Sequence, residues 1–218
     1  LNPSRKTNLF IQNLPYYQAI ASTKSTIIPW LKKIGVQKAE FVPFGYSESL
    51  HFPETFATEQ ELKRYECNLA FVGTADRDRY EYLLVASKFK SLNIYGHFWE
   101  RHPIFKEFWQ GPALGRKYRL VCRASKIVLG LLRRANLDMS TMRSYEIPAC
   151  GGLMIMERTE EHNLLFGDLA NEVSFANTSE LYLIIDKLLN NPQLRNEIRQ
   201  EMMMTIREGL RQIISIVN

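Results

Sequence analysis

The sequence is poor in the residues that build metal centres and disulfide frameworks. It has three cysteines, Cys67, Cys122 and Cys150, and no two of them form a CxxC pair. Its four histidines have no HExxH or comparable spacing, which excludes the common zinc motifs. An odd number of isolated cysteines is typical of a reduced protein with buried thiols. We therefore expect no metal site and a cytoplasmic location.

Long apolar runs are also missing. None approaches the roughly 20 residues that span a bilayer, and residues 1–17 lack the basic, apolar and small-residue order of a signal peptide. Hydrophobic residues make up 45% of the 218 residues and charged residues 23%, the proportions of a globular domain. Because the chain begins with Leu1 instead of Met, and a strand-like run follows closely, we expect a fragment of a longer protein.

Acidic residues are fewer than basic ones, which gives a formal net charge of +5 at pH 7. The basic residues are scattered, and the densest stretches, "RKYRLVCR" and "LLRR", are mixed with apolar residues. This distribution favours an acidic small ligand, or peripheral contact with an anionic membrane, over a nucleic acid. We expect no nucleic-acid partner, although a basic nucleic-acid-binding α/β protein stays open as an alternative.

The familiar phosphate-binding loops are absent as well. The stretch "FVGTADR" places one glycine where a strand turns into a helix, and it matches neither GxGxxG nor GxxxxGK[ST]. A dinucleotide-binding or Walker-type loop therefore has little support.

What the sequence does have is a regular alternation of short apolar runs and amphipathic segments. The runs, such as "CNLAFVG", "KIVLGLL" and "LMIM", are continuous, as in parallel strands that helices cover on both faces. They predict a Rossmann-like, doubly wound α/β domain over residues 66–190. Residues 1–44 are predicted to end a preceding domain and cross into this one, residues 45–65 to form a linker, and residues 191–218 to form a C-terminal helix.

Candidate site residues follow these strands, because open parallel sheets bind ligands beyond the carboxyl ends of their strands. Glycines there allow a ligand to approach the backbone closely, arginines can bind phosphate, and carboxylates can accept hydrogen bonds from hydroxyls. A nucleoside diphosphate that carries a sugar needs all three. The candidate residues are Gly73, Thr74, Arg77, Arg79, Gly96, Asp138, Ser140, Thr141, Arg143 and Glu146.

Arg143 and Glu146 lie three residues apart in a predicted helix that opens near Ser140. The first amides of a helix lack hydrogen-bond partners within the helix. A diphosphate there would accept hydrogen bonds from these amides and form an ion pair with Arg143. Glu146 could then accept two hydrogen bonds from a ribose diol. The alternative is an exposed i,i+3 ion pair without a ligand, and the spacing alone does not separate the two. Gly73 and Gly96 can likewise be strand-end turns only, and Arg77 and Arg79 solvent-facing charges.

The sequence from "RSYEIPACGGLMIMERTEE" to "NNPQLRNEI" resembles the C-terminal, donor-binding domain of the group 1 glycosyltransferases. The nearest resemblance is to the spore-maturation-type, family 4-like branch. These proteins have two facing Rossmann-like domains, the GT-B arrangement. "CNLAFVGTADRDRYEYL", "LNIYGHFW" and "KIVLGLL" stand in the order that this family shows.

The resemblance implies roles for particular residues. Family members carry two acidic residues separated by seven others, and Asp138 and Glu146 have that spacing, with Asp where Glu is more usual. Glu146 would bind the ribose and Asp138 would face the donor sugar, which makes them the catalytic candidates. The helix start between them would hold the diphosphate. The usual glycine-rich start is replaced here by "MSTMR", in which Arg143 would compensate for the lost glycines.

The implied reaction is the transfer of a sugar, hexosyl and retaining, from a UDP- or GDP-sugar to an acceptor hydroxyl, without metal or cofactor. A second hypothesis is a non-catalytic module that binds a nucleotide or a sugar. These motifs do not distinguish between acceptors, nucleotide bases or donor sugars.

Overall fold

The computed structural model describes residues 7–217, with side chains described up to residue 209. The strands are β1 (Ile20–Ser22), β2 (Ala39–Phe41), β3 (Cys67–Val72), β4 (Leu92–Tyr95), β5 (Ser125–Gly130), β6 (Met154–Glu157) and β7 (Ser174–Phe175). The α-helices are α1 (Asn8–Asn13), α2 (Ile28–Lys33), α3 (Glu59–Tyr65), α4 (Tyr80–Ala86), α5 (Gly115–Ala124), α6 (Arg143–Ala149), α7 (Glu160–Phe166), α8 (Ala170–Val173), α9 (Thr178–Asn190) and α10 (Pro192–Val217).

Five of these strands form one parallel sheet in the order β4-β3-β5-β6-β7. The chain passes from β3 to β4 on one side and then crosses to β5 on the other. The strand order therefore reverses between β3 and β5, and the carboxyl ends of these two strands border a crevice. This confirms the predicted doubly wound α/β fold.

The apolar runs of the sequence become strands that are buried on both faces. Leu69, Ile127, Leu129, Ile155 and Phe175 are almost fully buried. Helices α4 and α9 pack against each other, as do α6 and α10. Because burial of one such side chain stabilises by roughly 1.5–3 kcal/mol, this core is the main source of the domain's stability. Cys67, Cys122 and Cys150 are free and buried, as predicted.

The N-terminal residues form a small unit with its own core. Strands β1 and β2 make a two-stranded parallel sheet, and the chain reaches α2 with Pro29 in its first turn. Its buried residues are Leu14, Ile27, Leu31, Val36 and Ala39. The assignment of residues 1–44 to the end of a preceding domain stays a prediction, and residues 1–6 lie outside the described residues.

The predicted linker, residues 45–65, lies packed along α5. Arg119 of α5 pairs with Glu54 (Nη2 to Oε2, 2.7 Å), and its guanidinium lies 4.3 Å from the centre of the Phe52 ring. Arg116 pairs with Glu61 in α3 at 2.5 Å. We call residues 46–57 the strap, because these contacts hold them against the α/β domain.

Candidate functional site

A cleft of about 350 Å³ opens where the strand order reverses, at the carboxyl ends of β3 and β5. Its walls come from the loops after these strands, from the start of α6 and from the N-terminal unit. The residues that line it are Lys24, Phe44, Phe71–Ala75, Asp76, Arg79, Leu129–Leu131, Arg133, Asn136, Asp138 and Thr141–Arg143. Six predicted site residues are among them, namely Gly73, Thr74, Arg79, Asp138, Thr141 and Arg143.

The loop after β3 brings Gly73 and Thr74 to the cleft, and Gly96 supports this loop from behind. A Cβ atom at Gly96, whose φ is +136°, would lie 2.1 Å from the Gly73 carbonyl oxygen. The Trp99 indole donates a hydrogen bond to the same oxygen at 2.7 Å. Gly96 therefore lies outside the cleft lining, and its role in the structure is the close packing of two loops.

Arg79 lies half-buried in the cleft wall. Its Nη1 donates to the Thr74 carbonyl at 2.6 Å, and its guanidinium lies 5.3 Å from the centre of the Phe71 ring. Burial lowers the pKa of Arg79, and the Asp76 carboxylate opposes that shift. Its buried Nε has no hydrogen-bond partner among residues 7–209. A buried donor without an acceptor is costly, so this arginine suits an anionic ligand. Arg77, by contrast, is exposed and does not line the cleft.

Two charged residues that sequence reasoning missed lie next to Arg79. Arg133 Nε donates to Asp76 Oδ2 at 2.6 Å, and Asp76 also caps the helical turn at 77–79 by accepting from the Asp78 amide. Both residues follow strands of the sheet, Asp76 after β3 and Arg133 after β5. The strand-end rule would have found them if it had been applied to every polar residue of these loops.

Helix α6 begins at Arg143, three residues later than predicted. The Thr141 amide donates to Ser144 Oγ at 3.2 Å, and the Arg143 amide donates to Thr141 Oγ1 at 3.2 Å. Two amides that were expected to be open are therefore already hydrogen-bonded within the protein. Side-chain cations, more than the helix tip, make this end of the cleft attractive to an anion.

Arg143 and Glu146 pair with each other, and the pair is not a surface pair. Glu146 is only 7% exposed. Its Oε1 lies 3.5 Å from His51 Nε2, in the strap. The Arg143 guanidinium lies 4.4 Å from the centre of the Tyr118 ring and faces the cleft. The i,i+3 ion pair of the alternative is therefore formed, but with a buried carboxylate, and Glu146 lies directly behind the cleft lining.

Asp138 lines the cleft together with Lys24 of the N-terminal unit, and the two side chains form an ion pair. Their side chains are 9% and 12% exposed. Asn136 Nδ2 donates to the other Asp138 oxygen at 3.2 Å. Lys24 was not among the predicted site residues, because 114 positions separate it from Asp138 and no local pattern links the two.

Ser140 is buried and lies outside the cleft lining. Its hydroxyl donates to Glu161 Oε2 at 2.5 Å, and the Ser25 hydroxyl donates to Glu161 Oε1 at 2.5 Å. The Ser25 amide adds a third hydrogen bond at 3.1 Å. The buried Glu161 carboxylate thus fastens the loop before α6 to the N-terminal unit. Ser140 takes part in this contact.

His162 supports the same loop from below. Its Nε2 lies 2.8 Å from Ser144 Oγ and its Nδ1 lies 2.7 Å from the Glu157 carbonyl. Burial lowers the pKa of His162, so the ring is neutral, donates from Nδ1 and accepts from the Ser144 hydroxyl. Ser144 then accepts from the Thr141 amide, which completes a chain of hydrogen bonds from β6 to the cleft.

Among the side chains of residues 7–209, no group of three or more His, Cys, Asp or Glu is placed to hold a metal ion. None of the helices in the described part of the chain is long and apolar enough to cross a membrane.

Solved structures share this fold at low sequence identity. Sucrose-phosphate synthase of Thermosynechococcus elongatus aligns with 12% identity and a TM-score of 0.65, over 99% of this chain and 64% of that chain. Anabaena HepE in complex with UDP-glucose aligns with 9% identity and a TM-score of 0.65, over 98% of this chain and 69% of that one. The C-terminal domain of a group 1 family glycosyl transferase from Francisella tularensis aligns with 12% identity and a TM-score of 0.55, over 75% of this chain and 97% of that chain.

These likenesses concern the fold, and the chain spans only 64% of the length of the synthase. No curated protein sequence matches the chain significantly. The model of the family described as glycosyl transferase-like matches residues 70–211, well over half of the chain. The chain therefore belongs to the glycosyl transferase-like family, and its α/β domain has the Rossmann-like fold of the C-terminal domain of GT-B group 1 glycosyltransferases.

Proposed function

We propose that this chain contains the donor-binding half of a glycosyltransferase, which transfers a sugar from a nucleotide-sugar to an acceptor hydroxyl. The observation that carries the proposal is the cleft at the switch point of the sheet, into which Arg79 and Arg143 both face. Its volume of about 350 Å³ suits a small ligand. The fold shared with HepE, which was solved with UDP-glucose, supports the same class of ligand.

Arg79 and Arg143 are the proposed ligands of the diphosphate, beside the Gly73–Thr74 loop. Arg79 offers a buried Nε that lacks an acceptor, and Arg143 is held over the Tyr118 ring. Charge builds on the diphosphate oxygens as the bond to the sugar breaks. Cations that are already in place stabilise that charge more than they stabilise the ground state, which lowers the barrier.

Glu146 and Asp138 keep the roles that the resemblance implies. A diphosphate that takes the place of Glu146 as the partner of Arg143 would free one Glu146 oxygen for the ribose hydroxyls, while the other stays near His51. Asp138, on the opposite side of the α6 start, would face the donor sugar. UDP- and GDP-sugars are both candidate donors, and we propose a retaining hexosyl transfer without metal or cofactor. A cytoplasmic location is part of the same proposal.

Titration of UDP, GDP and UDP-glucose against wild-type and variant chains tests the proposal. We expect Arg79→Met and Arg143→Met each to weaken binding at least about tenfold, because each removes a charged hydrogen-bond donor. Arg77→Met is the matched control, since Arg77 carries the same charge but is exposed outside the cleft. An equal loss in all three variants would mean that general charge, and not the cleft, attracts the nucleotide.

Two rival functions give different outcomes. A binding module without turnover would bind the donor, yet the full-length protein would neither transfer nor hydrolyse its sugar. A nucleic-acid binder would prefer RNA or DNA over nucleoside diphosphates, with an affinity that falls steeply as salt rises. The configuration of the glycosidic product, measured by NMR, decides between retention and inversion.

A further inference from the structure

Lys24 is a cleft residue that lies outside the α/β domain. It follows β1 in the N-terminal unit, and its side chain is only 12% exposed. Its ammonium group pairs with Asp138, and both side chains line the same cleft as Arg79 and Arg143. Lys32, Lys33 and Lys38 of the same unit are exposed, so the placement of Lys24 is particular to this position.

The backbone around Lys24 is fastened on both sides. The Lys24 amide donates to Ser22 Oγ at 3.0 Å. The next residue, Ser25, donates to the buried Glu161 carboxylate through its amide and its hydroxyl. Thr26 Oγ1 lies 3.4 Å from the Leu137 carbonyl, in the loop that leads to Asp138. The ammonium group is therefore presented to the cleft from a fixed backbone, which lowers the entropic cost of binding an anion there.

The charges in the cleft are unbalanced in favour of cations. Four cations, Lys24, Arg79, Arg133 and Arg143, line it with two carboxylates, Asp76 and Asp138. Arg133 pairs with Asp76, and Lys24 pairs with Asp138. Arg143 also pairs with Glu146, which lies behind the lining, so four cations face three carboxylates in all. This excess of positive charge suits the negatively charged phosphates of a nucleoside diphosphate bound to a sugar.

We infer that Lys24 of the N-terminal unit binds the diphosphate of the sugar donor. When the donor binds, the ion pair between Lys24 and Asp138 gives way to one between Lys24 and the phosphates. The ammonium group turns to the diphosphate, and the Asp138 carboxylate becomes free to accept hydrogen bonds from the donor sugar. This inference rests on the proposed function and extends it, because it makes the donor site a joint product of the two units.

The test compares binding of the nucleoside diphosphate that the wild type binds more tightly, UDP or GDP, with binding of its nucleoside. In Lys24→Met we expect the diphosphate to bind at least about tenfold more weakly and the nucleoside to bind within about twofold of wild type. Lys38→Met is the control with the same change of net charge, because Lys38 is 64% exposed and pairs with Glu40 on the surface of the N-terminal unit. It should bind both ligands as the wild type does.

A double variant separates direct contact from mere neutralisation of Asp138. If Lys24 meets the phosphates, Lys24→Met combined with Asp138→Asn still binds the diphosphate weakly. If the lysine serves only to neutralise Asp138, that double variant regains wild-type affinity, and the inference is overturned. It is also overturned if Lys24→Met alone binds the diphosphate like the wild type. If Lys24→Met lowers stability, the same measurement is repeated with Lys24→Gln at a temperature below the thermal unfolding midpoint of that variant. A wild-type chain that binds neither UDP nor GDP would instead refute the proposed function.

Discussion

His162 shows how burial fixes the protonation state of a side chain that the sequence left without a role. The ring is 1% exposed and uses both nitrogens, one toward Glu157 and one toward Ser144. Desolvation disfavours the imidazolium and lowers the pKa of His162, while the backbone carbonyl of Glu157 and the charge of Glu161 oppose this shift. Protonation would also break the hydrogen bond that Nε2 accepts from Ser144.

This predicts a loss of stability in mild acid. Because the pKa of His162 is lower in the folded chain than the ordinary value of 6.5, the unfolded chain takes up a proton first as the pH falls. Stability is complete above that value and declines below it, by at most about 1.4 kcal/mol per pH unit. Urea unfolding at about pH 7.5 and about pH 5.5 should show a larger loss for the wild type than for His162→Gln.

The other titrating groups are common to both proteins, so they cancel in this comparison. An equal loss in the wild type and in His162→Gln would mean that the folded ring takes up its proton as readily as the unfolded one.

At the scale of elements, the cleft depends on how closely the loops after β3 and β4 approach each other. Gly96 permits that approach, since any Cβ atom there would collide with the Gly73 carbonyl. We expect Gly96→Ala to lower the free energy of unfolding by more than about 2 kcal/mol, because both the collision and the positive φ add strain. Nucleotide affinity should fall as well, because Gly73 and Thr74 must move.

Gly209→Ala is the matched control for this substitution. Gly209 lies in helix α10, and a Cβ atom there would have no neighbour within 4 Å. Alanine at that position should raise stability by up to about 1 kcal/mol, through helix propensity alone. Equal unfolding midpoints for Gly96→Ala and the wild type would contradict this prediction, because the two loops could then move apart without loss of stability.

At the scale of the whole molecule, the described residues form two hydrophobic cores of very different size. The small one, around Leu31, belongs to the N-terminal unit, and the large one, around Leu69, lies between the five-stranded sheet and its helices. Both leucines are fully buried, so truncation of either should cost about 2–5 kcal/mol locally.

Hydrogen exchange distinguishes the two truncations. Leu31→Ala should speed exchange in β1 and β2 and leave β3, β5 and β6 protected, because the units share few buried apolar contacts. Leu69→Ala should speed exchange throughout the five-stranded sheet. Faster exchange across that sheet in Leu31→Ala would show that the two units unfold as one.

The sequence by itself determined the elements and most of the cleft loops. Continuous apolar runs predicted the parallel strands β3, β5 and β6. Since parallel strands place their carboxyl ends along one edge, the strand-end rule brought Gly73, Arg79 and Asp138 to one cleft. These features depend on local patterns, which a single stretch of chain carries.

Only the tertiary structure decided which side chains line the cleft. Gly96, Ser140 and Glu146 follow the right strands, yet packing against Gly73, Glu161 and His51 places all three behind the cleft lining. The direction of a side chain depends on its neighbours in space. Lys24 and Phe44 reach the cleft because the N-terminal unit docks on the α/β domain. Contacts between such distant residues leave no periodicity or spacing in the sequence.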